Sequence, residues 1–381
     1  MSDEIKLMIG GDLVPTDSNR EIFIERDVGR LIGGKLALVW NAADYRIVNL
    51  EAPLLDEGVP IKKSGPCLKA ALKTVRGLQA LNINVVSMAN NHIMDYGEEG
   101  LKSTESALDD AGILRIGTGK NKKDANRGLI QEINGFKVGI YACSEHEFSA
   151  AGISSPGANA IGVDTSIRIS EIKNECDYLI VLFHGGKEHY PFPTPMQQDR
   201  CRSFVDAGAD FVVCQHSHCV GCEETYKEKK IVYGQGNYIF DYKDDECWKN
   251  GLILEVCLKR LDGSIIPEYM YYPICKEEEC IRLAEEELAE HIMNAYEKRS
   301  SLCSDSNSVY SLFEEIVAKE GELKLRKLFA WPRWLRGFDR FCLNGRLIVG
   351  KIRKGAIAAY GVVACETDFE ILENYIKTRN K

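Results

Sequence analysis

Residues 83–97 read INVVSMANNHIMDYG, an apolar run that ends on two asparagines and a histidine. Three of the first four residues are β-branched, which predicts a buried strand over Ile83–Met88. The next stretch, Glu98–Ala111, has helical periodicity and begins with acidic residues, as many helices do. A strand, a polar loop and a helix in succession predict one unit of an α/β fold.

The same order recurs along the first 240 residues, which predicts an α/β domain with a partly parallel sheet. Further strands are predicted at Lys6–Gly10, Tyr45–Leu50, Phe136–Ala142, Tyr178–Phe183 and Asp210–Cys214, and further helices at Leu68–Leu81, Ser166–Glu175 and Pro195–Ala207. From Ile231 to Tyr272, short runs joined by tight turns predict antiparallel strands. We therefore predict one domain over residues 1–276 and a mainly helical region over 277–381.

Composition excludes several classes of protein. The chain has 381 residues, 45% of them hydrophobic and 28% charged, as expected for a globular protein. Its longest apolar stretch, Ala356–Cys365, is half the length that a membrane-spanning helix needs, and no signal peptide is apparent. The 14 cysteines have no regular spacing, which favours reduced thiols over disulfides or a zinc ribbon. We expect a cytoplasmic protein.

Polar and ionisable side chains follow five of the predicted strands, at the point where each strand ends. This edge of an α/β sheet is where ligand sites form. Carboxylate, amide and imidazole groups together suit Zn, Mn or Fe. Turn capping is the competing interpretation, but the joint placement favours a metal site. The residues are Asp12, Asn49, Glu51, Asn90, Asn91, His92, His184, His216 and His218.

These residues belong to six short motifs. They are Gly11-Asp12, Asn49-Leu50-Glu51-Ala52-Pro53, Ala89-Asn90-Asn91-His92, Phe183-His184-Gly185-Gly186, Gln215-His216-Ser217-His218 and Gly236-Asn237-Tyr238-Ile239-Phe240-Asp241. In this order they resemble the poly-γ-glutamate capsule-synthesis (CapA-like) family, a branch of the calcineurin-like metallophosphoesterases. The resemblance covers roughly residues 5–245. It implies an α/β, metallophosphoesterase-like layered β-sheet sandwich flanked by helices, and we add a helical C-terminal appendage.

The resemblance also implies a metal-binding role for six residues. Glu51 would bridge two divalent cations, Mn, Zn or Fe. Asp12 and His218 would complete one position, and Asn91, His184 and His216 the other.

For the remaining motif residues, the resemblance implies contacts with the reacting groups. His92 would be the proton donor to the leaving group, and Asp95 would orient its ring. A hydrogen-bonded loop histidine and a turn-capping aspartate are the alternatives. Contacts with substrate are assigned to Asn49, Asn90, Glu188, His189 and Asn237, for which solvated loop or turn positions are the alternatives.

Two functions follow from this pattern. The first is a metal-dependent hydrolase acting on a phosphoester or a γ-glutamyl-type amide, on a small molecule or an anionic cell-envelope polymer. The second is a metal-bearing component that binds or assembles poly-γ-glutamate or another anionic polymer without turnover. No specific nucleic acid is expected as a partner.

The segment 323–355 is strongly basic and aromatic. Between Leu323 and Lys354 it holds ten Lys and Arg residues against one acidic residue, Asp339, whereas the whole chain has a net charge of −9. One interpretation is a polyanion site, and another is contact with an anionic membrane surface. A third is a helical face that packs on the acidic main domain.

Replacing Arg333, Arg336 and Arg340 with Gln separates these interpretations. If the segment binds polyanions, the variant binds long anionic polymers more weakly, and the affinity of the wild type falls as salt rises. A salt-titrated polymer-binding assay, run beside a thermal melt, measures both effects. Unaltered, salt-independent binding with a lower melting temperature would show that the segment packs on the protein instead.

Overall fold

The computed structural model describes residues 3–243 and 245–328. None of the helices in this part of the chain has the length and hydrophobicity that a membrane span requires.

The strands are β1 Glu4–Val14, β2 Tyr45–Leu50, β3 Val85–Ser87, β4 Leu114–Ile116, β5 Thr118–Gly119, β6 Leu129–Ile133, β7 Phe136–Ser144, β8 Gly157–Ala158, β9 Tyr178–His184, β10 Phe211–Gln215, β11 Glu223–Tyr226, β12 Lys229–Val232, β13 Asn237–Phe240, β14 Asn250–Leu261, β15 Ser264–Glu277 and β16 Cys280–Leu283.

Helices connect the strands of both sheets. They are α1 Arg20–Glu25, α2 Val28–Asn41, α3 Val75–Ala80, α4 Gly97–Ala111, α5 Lys122–Ala125, α6 Thr165–Lys173, α7 Pro195–Asp206, α8 Glu246–Lys249, α9 Glu286–Cys303 and α10 Ser306–Leu328, with a 3₁₀ turn at Leu72–Thr74.

Two large sheets form the centre of the fold. The first has the order β16-β15-β14-β1-β2-β3-β4, and β13 pairs with β1. The second has the order β11-β12-β10-β9-β7-β6. Strands β1 to β4 pair in parallel, as do β7, β9, β10 and β12, whereas β14 to β16 are antiparallel. The predicted α/β class with a partly parallel sheet is confirmed.

The two sheets pack face to face. Ile9 and Ile47 from the first sheet lie in one buried cluster with Ile140, Ile180 and Val213 from the second. Each of these side chains is completely buried. Burial of this apolar surface stabilises the sandwich by about 25 cal/mol per Å² removed from water.

Helices cover the outer face of each sheet. On the first sheet, Val48 packs with Trp40 of α2 and Leu108 of α4. On the second, Val181 packs with Phe204 of α7. Because neighbouring strand residues such as Ile47 and Val48 face opposite cores, both need apolar side chains, which explains the continuous hydrophobic runs in the sequence.

Several element bounds differ from the prediction. Strand β1 continues past Gly10 to Val14, with a register shift between Ile9 and Asp12, so Asp12 lies within the strand rather than beyond its end. The helix predicted over Leu68–Leu81 is wrong in its first turn, since helical structure begins only at Leu72. There Ala70 forms a parallel β-bridge with Leu54, so its carbonyl accepts from the backbone N–H of Leu55 instead of a helical N–H.

The C-terminal third contributes to the main unit. Contacts divide the chain into compact units of Met1–Val309 and Tyr310–Lys381, so the boundary predicted at residue 276 falls inside β15. Strand β16 pairs with β15, and Tyr296 of α9 contacts Tyr271 of β15. Most of the basic segment, residues 329–355, lies outside the described residues, and its role stays a prediction.

Candidate metal centre

The site residues come from strand ends in both sheets. Asp12 of β1 is in register with Asn49 of β2, and Glu51 follows β2 directly. In the second sheet, His184 ends β9 and is in register with Gln215, the last residue of β10. Since these strands are parallel, their carboxyl ends deliver polar side chains to one place between the two sheets.

The backbone at this edge is tightly constrained. A Cβ atom on Gly11 would lie 2.2 Å from the Gly236 carbonyl oxygen, so β1 and the β13 segment can meet only through glycine. His216 and His218 have φ angles of 93° and 54°, which is unusual for residues with side chains. Strained residues of this kind cluster at functional sites, where the surrounding structure holds them.

Glu51 lies between two groups of candidate ligands. Its carboxylate, with His184 and His216, forms one set whose ligand atoms lie within 4.8 Å of one another, and with Asp12 and His218 it forms a second. All five side chains are buried. The two sets share Glu51, which is the arrangement expected for a bridging carboxylate.

In the first set, three atoms crowd around one ring nitrogen. His184 Nε2 lies 3.0 Å from Asn91 Oδ1, 3.1 Å from His216 Nδ1 and 3.2 Å from Glu51 Oε1. At most one of these contacts can use a proton on His184 Nε2, because that nitrogen carries no more than one. A cation among the four atoms would accept a lone pair from each of them.

In the second set, Asp12 is held from several sides. Its Oδ1 accepts a hydrogen bond of 2.8 Å from Asn49 Nδ2, and its Oδ2 accepts one of 3.1 Å from the backbone N–H of His216. His218 Nδ1 lies 3.5 Å from Asp12 Oδ2 and 2.9 Å from Asn237 Oδ1. The carboxylate and the imidazole are therefore fixed before any ligand arrives.

Burial opposes charge on the ionisable groups of this cluster. Among the described residues, neither carboxylate oxygen of Glu51 has a hydrogen-bond partner, although the side chain is fully buried. Burial raises the pKa of Glu51 to about 8 and the pKa of Asp12 to about 7. Burial also lowers the pKa of His184 to about 4 and that of His216 to about 3. Divalent cations favour carboxylate and neutral imidazole, so this donor set fits the binding of such ions.

His92 and Asp95 form a separate pair beside the ligands. His92 Nδ1 lies 2.6 Å from Asp95 Oδ2, and the backbone N–H of Leu68 donates to the same oxygen at 2.6 Å. Lys63 Nζ donates to Asp95 Oδ1 and lies 3.1 Å from His92 Nδ1. Because Asp95 can only accept, Nδ1 of His92 carries the proton and Nε2 is left for another partner.

The residues predicted to contact substrate have varied environments. Asn49 and Asn90 are fully buried: Asn49 donates to Asp12, while Asn90 donates to the Leu50 carbonyl and accepts from the His92 backbone N–H. These hydrogen bonds give both side chains a positioning role within the site, and their contact with a substrate stays a prediction. Asn237 likewise orients His218. Glu188 and His189 lie in a loop with side chains 49% and 33% exposed, where contact with a substrate stays a prediction.

Two residues at the site were missed in the sequence. The side chain of Lys63 is only 3% exposed. In the sequence it is flanked by Lys, Ser, Gly and Pro, which are typical of a solvated loop. Trp248 stacks on His218, with ring centroids 4.4 Å apart. Nothing in the sequence around Trp248 indicates that its ring would pack on His218.

Known proteins share this region of the chain. The sequence model of the family described as bacterial capsule synthesis protein PGA_cap matches residues 6–242. The capsule biosynthesis protein CapA of Bacillus anthracis is 32% identical over 210 residues, which cover 52% of this chain and 51% of that protein. A probable polyglutamine synthesis accessory protein of Mycobacterium tuberculosis is 28% identical over 226 residues, covering 55% of this chain and 60% of its own length.

Among solved structures, the calcineurin-like phosphoesterase YfkN of Bacillus subtilis aligns with 80% of this chain and 98% of its own, at 13% identity and a TM-score of 0.44. At that TM-score the likeness carries no weight. The chain spans about half the length of the Bacillus anthracis relative. The family match, in contrast, covers more than half of the chain and contains both ligand sets that share Glu51, together with His92 and Asp95. The chain therefore belongs to the bacterial capsule synthesis protein family PGA_cap.

Proposed function

We propose that this chain is a metal-dependent hydrolase that acts on a phosphoester or a γ-glutamyl-type amide bond. The observation that carries the proposal is Glu51, fully buried and without a hydrogen-bond partner among the described residues, shared by two sets of ligand atoms. Family membership adds an anionic cell-envelope polymer as the proposed target.

The ligands divide between two positions. Asp12, Glu51 and His218 would hold one cation, and Glu51, Asn91, His184 and His216 the other. Two divalent ions bound there would supply Lewis-acid catalysis and a water nucleophile at neutral pH. Asn49 and Asn237 keep Asp12 and His218 in place through their hydrogen bonds.

His92 is the proposed general acid. Asp95 accepts from its Nδ1 and so fixes the orientation of the ring. The protonated ring would donate from Nε2 to the departing alkoxide or amine. A leaving group that is already a weak base gains little from this proton.

Lys63 has a positioning role in this proposal. Its ammonium group is almost completely buried, and it contacts both Asp95 and His92. Burying the Asp95 charge alone would cost several kcal/mol, and the lysine offsets that cost. Lys63 thereby pairs with the carboxylate that orients His92.

A second function is favoured by the relatives' names. The Mycobacterium tuberculosis relative is called an accessory protein of polyglutamine synthesis. On this alternative, the same cations would bind an anionic polymer for assembly without turnover. A binding component has no use for a proton donor beside its ligands, so His92 discriminates between the two functions.

The first prediction concerns metal content. Glu51→Gln should remove metal from both positions, whereas Asp12→Asn should remove it mainly from one, because only Glu51 belongs to both ligand sets. Elemental analysis of the purified variants measures this. Glu255→Gln is the matched control, since Glu255 is also buried but accepts a hydrogen bond from Tyr272. Undiminished metal in Glu51→Gln would refute the bridging role.

The second prediction concerns stability after metal removal. The raised pKa values of Glu51 and Asp12, about 8 and 7, mean that the folded metal-free protein holds protons that the unfolded chain has lost. Stability from these groups is therefore lost as pH rises from their unfolded pKa values, 3.8 and 4.5, to their folded values of about 7 and about 8. The lowered pKa values of His184 and His216 act in the opposite direction only below about pH 6.5.

Thermal melts of the metal-free protein measure this dependence. The melting temperature should fall between about pH 6.5 and about pH 8 and then level off with respect to these groups, and saturating Mn²⁺ should reduce the fall because the cation replaces the protons. In Glu51→Gln the fall should be smaller. A metal-free melting temperature that rises over this range would contradict the assignment.

The third prediction concerns turnover. His92→Asn should retain metal and fold but lose about 10²–10⁴-fold in rate on substrates with poor leaving groups, since general acid catalysis contributes that much. The loss should shrink for nitrophenyl esters. His291→Asn, an exposed histidine on α9, serves as the control. Full activity of His92→Asn on poor leaving groups would remove His92 from the mechanism, and no turnover by any metal-loaded wild type would favour the binding function.

A further inference from the structure

A second cluster of metal-ligand side chains lies beside the candidate metal centre. His189, Asp245 and Cys247 each present one ligand atom, and these three atoms lie within 4.8 Å of one another. The thiol of Cys247 also makes hydrogen-bond contacts with Cys219 and His189. None of these four residues belongs to the two ligand sets that share Glu51.

The donors of this cluster differ in kind from those around Glu51. The Glu51 sets contain only oxygen and nitrogen donors, whereas this cluster adds sulfur. One thiolate, one imidazole and one carboxylate form a combination that Zn²⁺ binds readily, while Mn²⁺ prefers oxygen. Three protein ligands would leave a fourth position for water.

Local structure holds two of the three ligands. Asp245 Oδ1 accepts a hydrogen bond of 3.1 Å from the backbone N–H of Trp248, which anchors the carboxylate at the start of α8. His189 has a φ angle of 56°, and its backbone N–H donates to the Ser217 carbonyl at 2.8 Å. The exposed Lys243 lies 3.3 Å from His189 Nε2, and a cation would displace it into solvent.

We propose that His189, Asp245 and Cys247 form an additional binding site for a divalent cation of the Zn²⁺ class. The ion would link the loop after β9 to the segment after β13. Both segments border the Glu51 centre, because Trp248 stacks on His218 and the His189 ring lies 6.3 Å from the His218 ring. The site does not depend on the proposed hydrolase activity.

Cobalt spectroscopy of the full chain tests this site. Co²⁺ replaces Zn²⁺ in such sites, and a cobalt–thiolate bond absorbs in the near ultraviolet, whereas cobalt bound only by nitrogen and oxygen lacks that band. Adding Co²⁺ to the metal-free protein should produce the band with one equivalent per chain at this site. Cys247→Ser should abolish it, and His189→Asn should weaken cobalt affinity at least about tenfold, since even lost outer contacts to a ligand cost that much.

Two controls make the result specific. Cys176→Ser changes a partly buried thiol that contacts the Lys173 carbonyl instead, and it should keep the band. Glu51→Gln should also keep it, so loss of the dinuclear centre and loss of this site are distinguishable. If Cys247→Ser does not fold, the affinity of His189→Asn decides. No thiolate band in the wild type, or a band unchanged in Cys247→Ser and in His189→Asn, would overturn the proposal.

Discussion

The buried charge of Glu51 is the constraint on which the account of this site depends. A carboxylate removed from water costs several kcal/mol unless it is neutralised or paired. Among the residues that the structure describes, no donor satisfies either Glu51 oxygen. A divalent cation on each side of the carboxylate would remove that cost. Burial lowers the pKa values of His184 and His216, so these histidines are already in the neutral form that binds metals.

The fold supplies this constraint because two sheets contribute strand ends to one place. Asp12 and Glu51 come from the first sheet, and His184 and His216 from the second. The apolar layer between the sheets holds these ends at a constant separation, since packed interiors do not deform easily. The backbone of Gly236 lies close to Gly11, and His216 and His218, which follow β10, have positive φ angles. These two features complete the geometry of the site.

Much of this arrangement could be predicted from the sequence, because parallel strands place the residues after them at one edge. That rule identified Glu51, His184 and His216 without coordinates. It could not identify Lys63, whose burial depends on the path of a loop without periodic pattern. Nor could it predict that Asn49 and Asn90 are completely buried and hydrogen-bonded within the site, since they follow strands as the other site residues do. The first turn predicted at Leu68 was wrong because Ala70 pairs with the chain at Leu54, and that β-bridge uses the carbonyl that a helix would need.

Anomalous diffraction from crystals soaked in Mn²⁺ tests the central claim most directly. If Glu51 bridges two cations, two anomalous peaks should appear about 3.5–4 Å apart on either side of its carboxylate, as in other two-metal sites. One peak should lie among Asp12 and His218, and the other among His184 and His216. The absence of an anomalous peak within bonding distance of Glu51 would contradict the account, whether or not Mn²⁺ binds elsewhere in the crystal.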